Sequence, residues 1–200
     1  MTKRLLQVLI SISVLLFACQ GSSFAAPKTS IAVIVQTDRF IMSDEAKKQL
    51  DKELAELFPK ANYRLVEDAA VSSDLSKRLE NRLLKDPAAK VQATLLDIAR
   101  KYDYDSILLL FYKLNTASNN SNFINWSKKA QMTLVVQMMH KETGKVIYAN
   151  NITREGRQQI KKARDLSDIN AIASETAKRC NEHLFTALEL PYGKRVLELL

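Results

Sequence analysis

The segment Ser106-Ile-Leu-Leu-Leu-Phe-Tyr112 is apolar on both of the faces that a strand presents. A strand can bury both faces only when other elements cover both sides of its sheet, so this segment demands the centre of a layered α/β arrangement. The β-branched run Ile31-Ala-Val-Ile-Val35 reads as a second buried strand.

Helical spacing fills the intervals. Ser43 is placed to cap a helix with Asp44 and Glu45 in its first turn, where negative charge suits the helix dipole, and with Ala46, Leu50, Leu54, Leu57 and Phe58 inward until Pro59 stops it. Residues 62–67 read as a short strand. A helix is expected over 73–85 through Leu75, Leu79 and Leu83, ending near Pro87, and another over 89–102 with Val91, Leu95, Ile98, Ala99 and Tyr102 inward. Residues 115–125, rich in Asn and Ser, read as a polar loop.

Over 131–139 the even positions Met132, Leu134, Val136 and Met138 form one apolar face while the odd positions are mixed, which predicts a sheet covered on one side there. Lys141-Glu-Thr-Gly144 is the turn, with Gly144 free to take a positive φ, and 145–153 returns. Asp165 caps a long helix reaching about Glu189, with Asp168 in a capping-box-like position, before Pro191 and Gly193 break it. The expectation is a single α/β (α+β) domain over 30–190. It has a mixed sheet of about five strands with helices packed on it, a β-hairpin and a long C-terminal helix, followed by a tail at 191–200.

The chain opens with Lys3 and Arg4, an apolar run over 8–18 and a small-residue exit, the layout of an export signal. The run is about 11 residues, against the roughly 20 that span a bilayer. Two exits compete. Ser23-Phe24-Ala25 suits ordinary cleavage after Ala25, giving a signal peptide at 1–25. Leu16-Phe17-Ala18-Cys19 resembles the bacterial lipobox, in which residues 1–18 leave and Cys19 is acylated, although Phe17 stands where a small residue is usual. The chain is expected to be exported, either periplasmic or held at a membrane as a lipoprotein facing the periplasm.

Either exit leaves Cys180 without Cys19 as a partner, so no intrachain disulfide is expected. Cys180 falls within Leu166, Ile169, Ala173, Thr176, Ala177, Leu184, Ala187 and Leu188, the spacing of a buried helix face, and reads as a small buried hydrophobe.

Net charge falls from +8 to +6 once Lys3 and Arg4 leave, and much of it is local. Arg154, Arg157, Lys161, Lys162 and Arg164 share a run with a single acid. In an exported chain such a run meets an anionic membrane or cell-wall surface or an acidic envelope protein rather than nucleic acid, unless it is simply a solvated loop and helix start. Phe123 and Trp126, set in polar sequence, are candidate protein contacts; alternatively Trp126 begins a core strand.

No catalytic, cofactor or metal residue is assigned. His140 and His183 are not at ligand spacing, and no H-E-x-x-H, C-x-x-C or G-x-S-x-G occurs. Four glycines, at 21, 144, 156 and 193, cannot build a phosphate-cradling loop. Asp103-x-Asp105 reads as a turn cap before a strand rather than a cation site.

Two segments carry a family resemblance. Residues 96–109, Leu-Asp-Ile-Ala-Arg-Lys-Tyr-Asp-Tyr-Asp-Ser-Ile-Leu-Leu, resemble the helix, acidic turn and strand of envelope proteins related to the curli-export lipoprotein and to the amino-terminal domain of the Tol propeller protein. Residues 133–148 resemble that group's hairpin, with His140 where the group usually has Asp, and Tyr104 replaces a small residue before Asp105. The resemblance implies a two- or three-layer α/β domain and a part in an envelope or secretion assembly. The expected function is a non-catalytic cell-envelope role in binding or assembly; a periplasmic small-ligand-binding module or an enzyme of unrecognised type is the alternative.

Overall fold

A computed structural model describes residues 28–79, 89–121, 126–160 and 169–189. The chain runs β1 (Thr29–Thr37), α1 (Asp44–Leu57), β2 (Tyr63–Val66), α2 (Ala69–Leu79), α3 (Ala89–Tyr102), β3 (Ser106–Ser121), β4 (Trp126–His140), β5 (Val146–Ile160) and α4 (Ile169–Glu189). It is an α+β fold built on one five-stranded mixed sheet of order β2-β1-β3-β4-β5. β1 lies parallel to β2 and β3, and β3, β4 and β5 form an antiparallel meander.

Alternation along the strands separates two cores. On one face Ile31, Val33, Leu108, Leu110, Tyr112 and the even residues 132–138 of β4 pack against α1 and α4. On the other, Ala32, Ile34, Ile107, Leu109 and Met139 pack against α2 and α3 through Val71, Leu75, Val91, Leu95 and Ile98. The central segments of β1 and β3 are thus buried on both sides, as their composition requires.

The helix termini follow local chemistry. Ser43 Oγ accepts from Ala46 N at 3.3 Å, and the turn after Phe58 closes with Asn62 N donating to Pro59 O at 3.0 Å. The second helix begins earlier than 73: Asp68 Oδ1 accepts from Ala70 N at 2.8 Å and Val71 N at 3.4 Å, so Ala69 opens α2. Leu83 and the rest of the 73–85 reading beyond Leu79 lie outside the described residues. Asp74 binds α2 to α3, taking Arg78 Nε at 2.9 Å and Lys101 Nζ at 2.7 Å. Those two hydrogen bonds, from Arg78 and then Lys101, lower its carboxyl to about 2.

The polar loop expected at 115–125 is corrected over most of its length. β3 continues to Ser121 and pairs with β4 down to Trp126, past a bulge at Leu114/Thr116. Likewise the returning strand does not stop at 153 but runs to Ile160. Asn, Ser, Gln and Arg populate strands poorly on their own; here the ladder with β4 supplies their backbone partners, and side-chain polarity only means that the exposed positions face water. Gly144 takes φ 60° in the turn, as expected.

α4 lies across β4 and β5 on the face shared with α1. Gly156 is what allows the approach: a Cβ there would collide with Thr176 Oγ1 and touch Ile172. Ala130, fully buried beside it in the ladder, keeps the neighbouring position small. The Asp165 cap and Leu166 lie outside the described residues. Cys180 is a free, buried cysteine on the inner face of α4. Among the described residues no helix is long and apolar enough to cross a membrane.

Candidate functional site

β2 has only four residues and pairs with β1 no further than Ala32. β1 continues to Thr37, leads into α1 on one face of the sheet, and β2 leads into α2 on the other. Adjacent parallel strands whose connections leave to opposite faces open a crevice at their carboxyl ends. A pocket of about 350 Å³ lies there, lined by Val35, Phe40, Met42 and Leu50, with Ile41, Lys47, Asp51 and Glu67 at its rim.

The loop that forms its wall is fixed by backbone hydrogen bonds. Arg39 sits at φ 62° and its Nη2 donates to Leu114 O at 2.8 Å. Ile41 N donates to Asn170 Oδ1 at 2.9 Å, and Ser174 Oγ donates to Ile41 O at 3.2 Å. Ser43 N donates to the same Ser174 hydroxyl at 2.9 Å. These bonds seat the loop on α4 and leave the Ile41 side chain outside, 73% exposed. A site of this kind can receive a small apolar group; its volume is at the lower end for small-molecule pockets.

The opposite end of the sheet holds the acidic turn and the hairpin turn. Asp105 Oδ2 accepts from Ser30 N at 2.7 Å and Ser30 Oγ at 2.6 Å. Burial pushes its carboxyl up, but the Ser30 hydroxyl and amide, with Lys141 and His140 nearby, outweigh that and hold it below the usual range. Lys141 N donates to Asp105 O at 2.8 Å, and Lys141 Nζ pairs with Asp103 Oδ1 at 2.8 Å. Asp103 adopts φ 57°, the left-handed conformation of a turn.

Ser106 and His140 stand opposite each other in the β3–β4 ladder. Neither Ser106 Oγ nor His140 Nδ1 has a hydrogen-bond partner. With Asp105 adjacent in sequence, the three residue types of a hydrolytic triad are close, but the arrangement is not one. Ser106 is wholly buried, and the Asp105 carboxylate is committed to Ser30. Among the described residues no group of three or more His, Cys, Asp or Glu is arranged to hold a metal ion.

Of the residues singled out in the sequence, Arg154 and Arg157 lie on β5 and Trp126 on β4. Arg154 pairs in register with Met132, on the helix-covered face, and Arg157 with Lys129, on the other. Strand alternation therefore points their side chains to opposite sides of the sheet. Arg154 lies close enough to Cys180 to favour its thiolate, yet burial dominates and raises the thiol to about 11. Trp126 begins β4, pairing with Ser121 on one side and Ile160 on the other. Cys19, Phe123, Lys161, Lys162 and Arg164 lie outside the described residues.

The sequence reading missed the pocket, because its lining comes from β1, a loop, α1 and the residue after β2. The one local signal was Phe40-Ile-Met42, three apolar residues between a strand and a capped helix.

No family model and no curated protein matches the sequence. Solved structures similar to it include a hypothetical protein from Chlamydia trachomatis, at 13% identity and TM-score 0.40, covering 82% of this chain and 96% of that one. Lipoprotein GNA1162 from Neisseria meningitidis is similar at 14% identity and TM-score 0.34, covering 70% and 90%. The C-terminal domain of LpoB from Salmonella enterica is similar at 18% identity and TM-score 0.31, covering 68% and 90%. Bacterial lipoproteins are thus among the structures that this chain is similar to.

Proposed function

We propose that this chain is an exported, non-catalytic protein of the bacterial cell envelope that acts by binding or assembly, as an accessory of an envelope or secretion complex of the kind its 96–109 and 133–148 segments resemble. The observation that carries the reading is the leader, Lys3 and Arg4 before the apolar 8–18 run, with Cys19 only nine residues ahead of Lys28. The described titratable groups support it, since Asp103, Asp105 and Lys141 are engaged in holding turns and strand ends together.

The partner contact in this reading is the end of the ribbon where Ser121, Trp126 and Ile160 meet in register. Trp126 is the aromatic contact to an envelope protein there and Arg157 a positive charge; by sequence alone, Phe123 and Lys161, Lys162 and Arg164 belong to the same proposed contact. Arg154 lies on the other, helix-covered face of β5.

Fractionation of cells producing the full chain tests the export step. Recovery from the envelope or periplasm at a mass reduced by loss of residues 1–18 or 1–25 is expected; full-length protein in the cytoplasm overturns the reading.

The pocket favours a second reading, a small-ligand-binding module. Closing its mouth with Asp51→Trp, at an exposed rim position, would abolish such binding while leaving an assembly role at the ribbon end intact.

A further inference from the structure

The end of the sheet at which β1 begins is one continuous row. Thr29 pairs with Tyr63 and its N–H donates to Asn62 O at 3.2 Å. Ile31 pairs with Ser106, Ser106 with His140, and the β4–β5 turn closes beside them, with His140 N donating to Lys145 O at 3.2 Å. α3 brings its last turn to the same place, since Tyr102 precedes the Asp103–Asp105 turn into β3.

Five exposed cations stand along this row: Lys28, Lys60, Arg64, Arg100 and Lys145. No ion pair forms at any of them among the described residues. The neighbouring acids are mostly spoken for. Asp105 serves Ser30 and Asp103 serves Lys141. Glu142 is the remaining exposed carboxylate of the turn. The other end of the sheet is mixed in charge: Asp44 pairs with Lys47, and Lys47 shares the pocket rim with Asp51 and Glu67.

The tether leads to the basic end. Lys28 immediately precedes β1, and the nine residues from Cys19 to Lys28 reach at most about 30 Å when fully extended. An acyl chain on Cys19 would therefore confine this row to within about 30 Å of the headgroups, so that it repeatedly enters the roughly 10 Å layer in which a charged surface acts on basic side chains.

We propose that the strand-start end of the sheet, through Lys28, Lys60, Arg64, Arg100 and Lys145, docks on an anionic lipid surface and turns the pocket and Ile41 away from it. The proposal rests on the reading that Cys19 is the anchor. It moves the lipid-facing charge from the 154–164 run to the opposite end of the fold, and leaves that run for a protein partner.

The test removes the acyl chain, so that surface docking is measured apart from anchoring. The full chain carrying Cys19→Ala, purified after export, is sedimented with vesicles of phosphatidylcholine alone or mixed with phosphatidylglycerol. Binding to the phosphatidylglycerol vesicles alone, weakened by salt, is expected. Lys28→Gln, Lys60→Gln, Arg64→Gln and Lys145→Gln together should weaken it about tenfold or more, whereas Arg154→Gln with Arg157→Gln should leave it unchanged. All four positions are exposed, and an unchanged circular dichroism spectrum shows that the variant is folded. No binding by the parent, equal binding by the fourfold variant, or loss confined to the Arg154 and Arg157 variant overturns the proposal. Failure of acylation at Cys19 is a separate result, read by lipid labelling of the unsubstituted chain.

Discussion

Asp105 Oδ2 binds both the amide and the hydroxyl of Ser30, 75 residues earlier, and so fastens the start of β3 to the start of β1. Asp105 N in turn donates to Ser30 Oγ at 3.1 Å. The reciprocal pair secures the end of the sheet at which β1 and β3 begin.

Asp105→Asn should destabilise the fold by about 1.5–3 kcal/mol at neutral pH, the range for hydrogen bonds to a charged group. The folded carboxyl is held below its usual value, so its contribution is complete above the unfolded pKa of about 4 and is lost as pH falls through the lower folded value. The gap between wild type and variant should therefore narrow below about pH 4. Urea denaturation across pH checks this; a gap that stays constant into acid contradicts it.

Tyr112, wholly buried on β3, donates its hydroxyl to Asn181 Oδ1 at 2.6 Å, and Asn181 Nδ2 donates to Ala46 O at 3.1 Å. This chain joins β3, α4 and α1 inside the apolar core. Tyr112→Phe leaves the Asn181 oxygen buried without that donor and should cost about 1–3 kcal/mol. A second change, Asn181→Leu, should cost less when made on Tyr112→Phe than on wild type. Additive costs in the double variant, measured by chemical denaturation, would show that the pair is not coupled.

Gly156→Ala ordinarily stabilises a strand by about 0.5–1 kcal/mol through the unfolded chain. Here the added methyl meets Thr176 Oγ1, whose hydroxyl already donates to Ile172 O at 2.7 Å. Net destabilisation of about 1–3 kcal/mol is expected, partly relieved by Thr176→Ala. A thermal melt at or above the wild-type midpoint for Gly156→Ala alone would mean that α4 does not press on β5 at this point.

Burial raises the Cys180 thiol to about 11 despite the nearby Arg154, and the thiolate is the reactive form. In a Cys19→Ala background, Cys180 should resist a thiol reagent at pH 8 in the native state and react rapidly in denaturant. Prompt stoichiometric labelling of the native protein would contradict the packing of α4.

The parts of the fold legible in the sequence are those in which burial itself writes the pattern. Ile31–Val35 had to be a buried strand and Ser106–Tyr112 a central one, and both are. Ser43 and Pro59 bounded α1 because capping and the missing amide act locally. The ribbon beyond Leu114 was not legible, since Asn115–Asn119 and Arg154–Gln159 carry no alternation and become strand only by pairing with β4. Gly156 looked like part of a charged run, its reason being a helix that arrives later in the chain. The pocket escaped for the same reason, because Glu67 and Val35 become neighbours only where β2 stops short. The basic end is likewise a product of topology: Lys28, Lys60, Arg64 and Lys145 are scattered in sequence and share one edge only because three strands begin and one hairpin turns there.

Lipid attachment at Cys19 is the point on which the membrane-anchored form of the envelope reading and the orientation of the fold both depend. Cells producing the full chain, as wild type and as Cys19→Ala, are grown with radiolabelled palmitate and the protein is isolated. Label in the wild type that is absent from Cys19→Ala is the predicted result. Absence of label from both, with a mature chain that begins at Ala26, would contradict the anchored account.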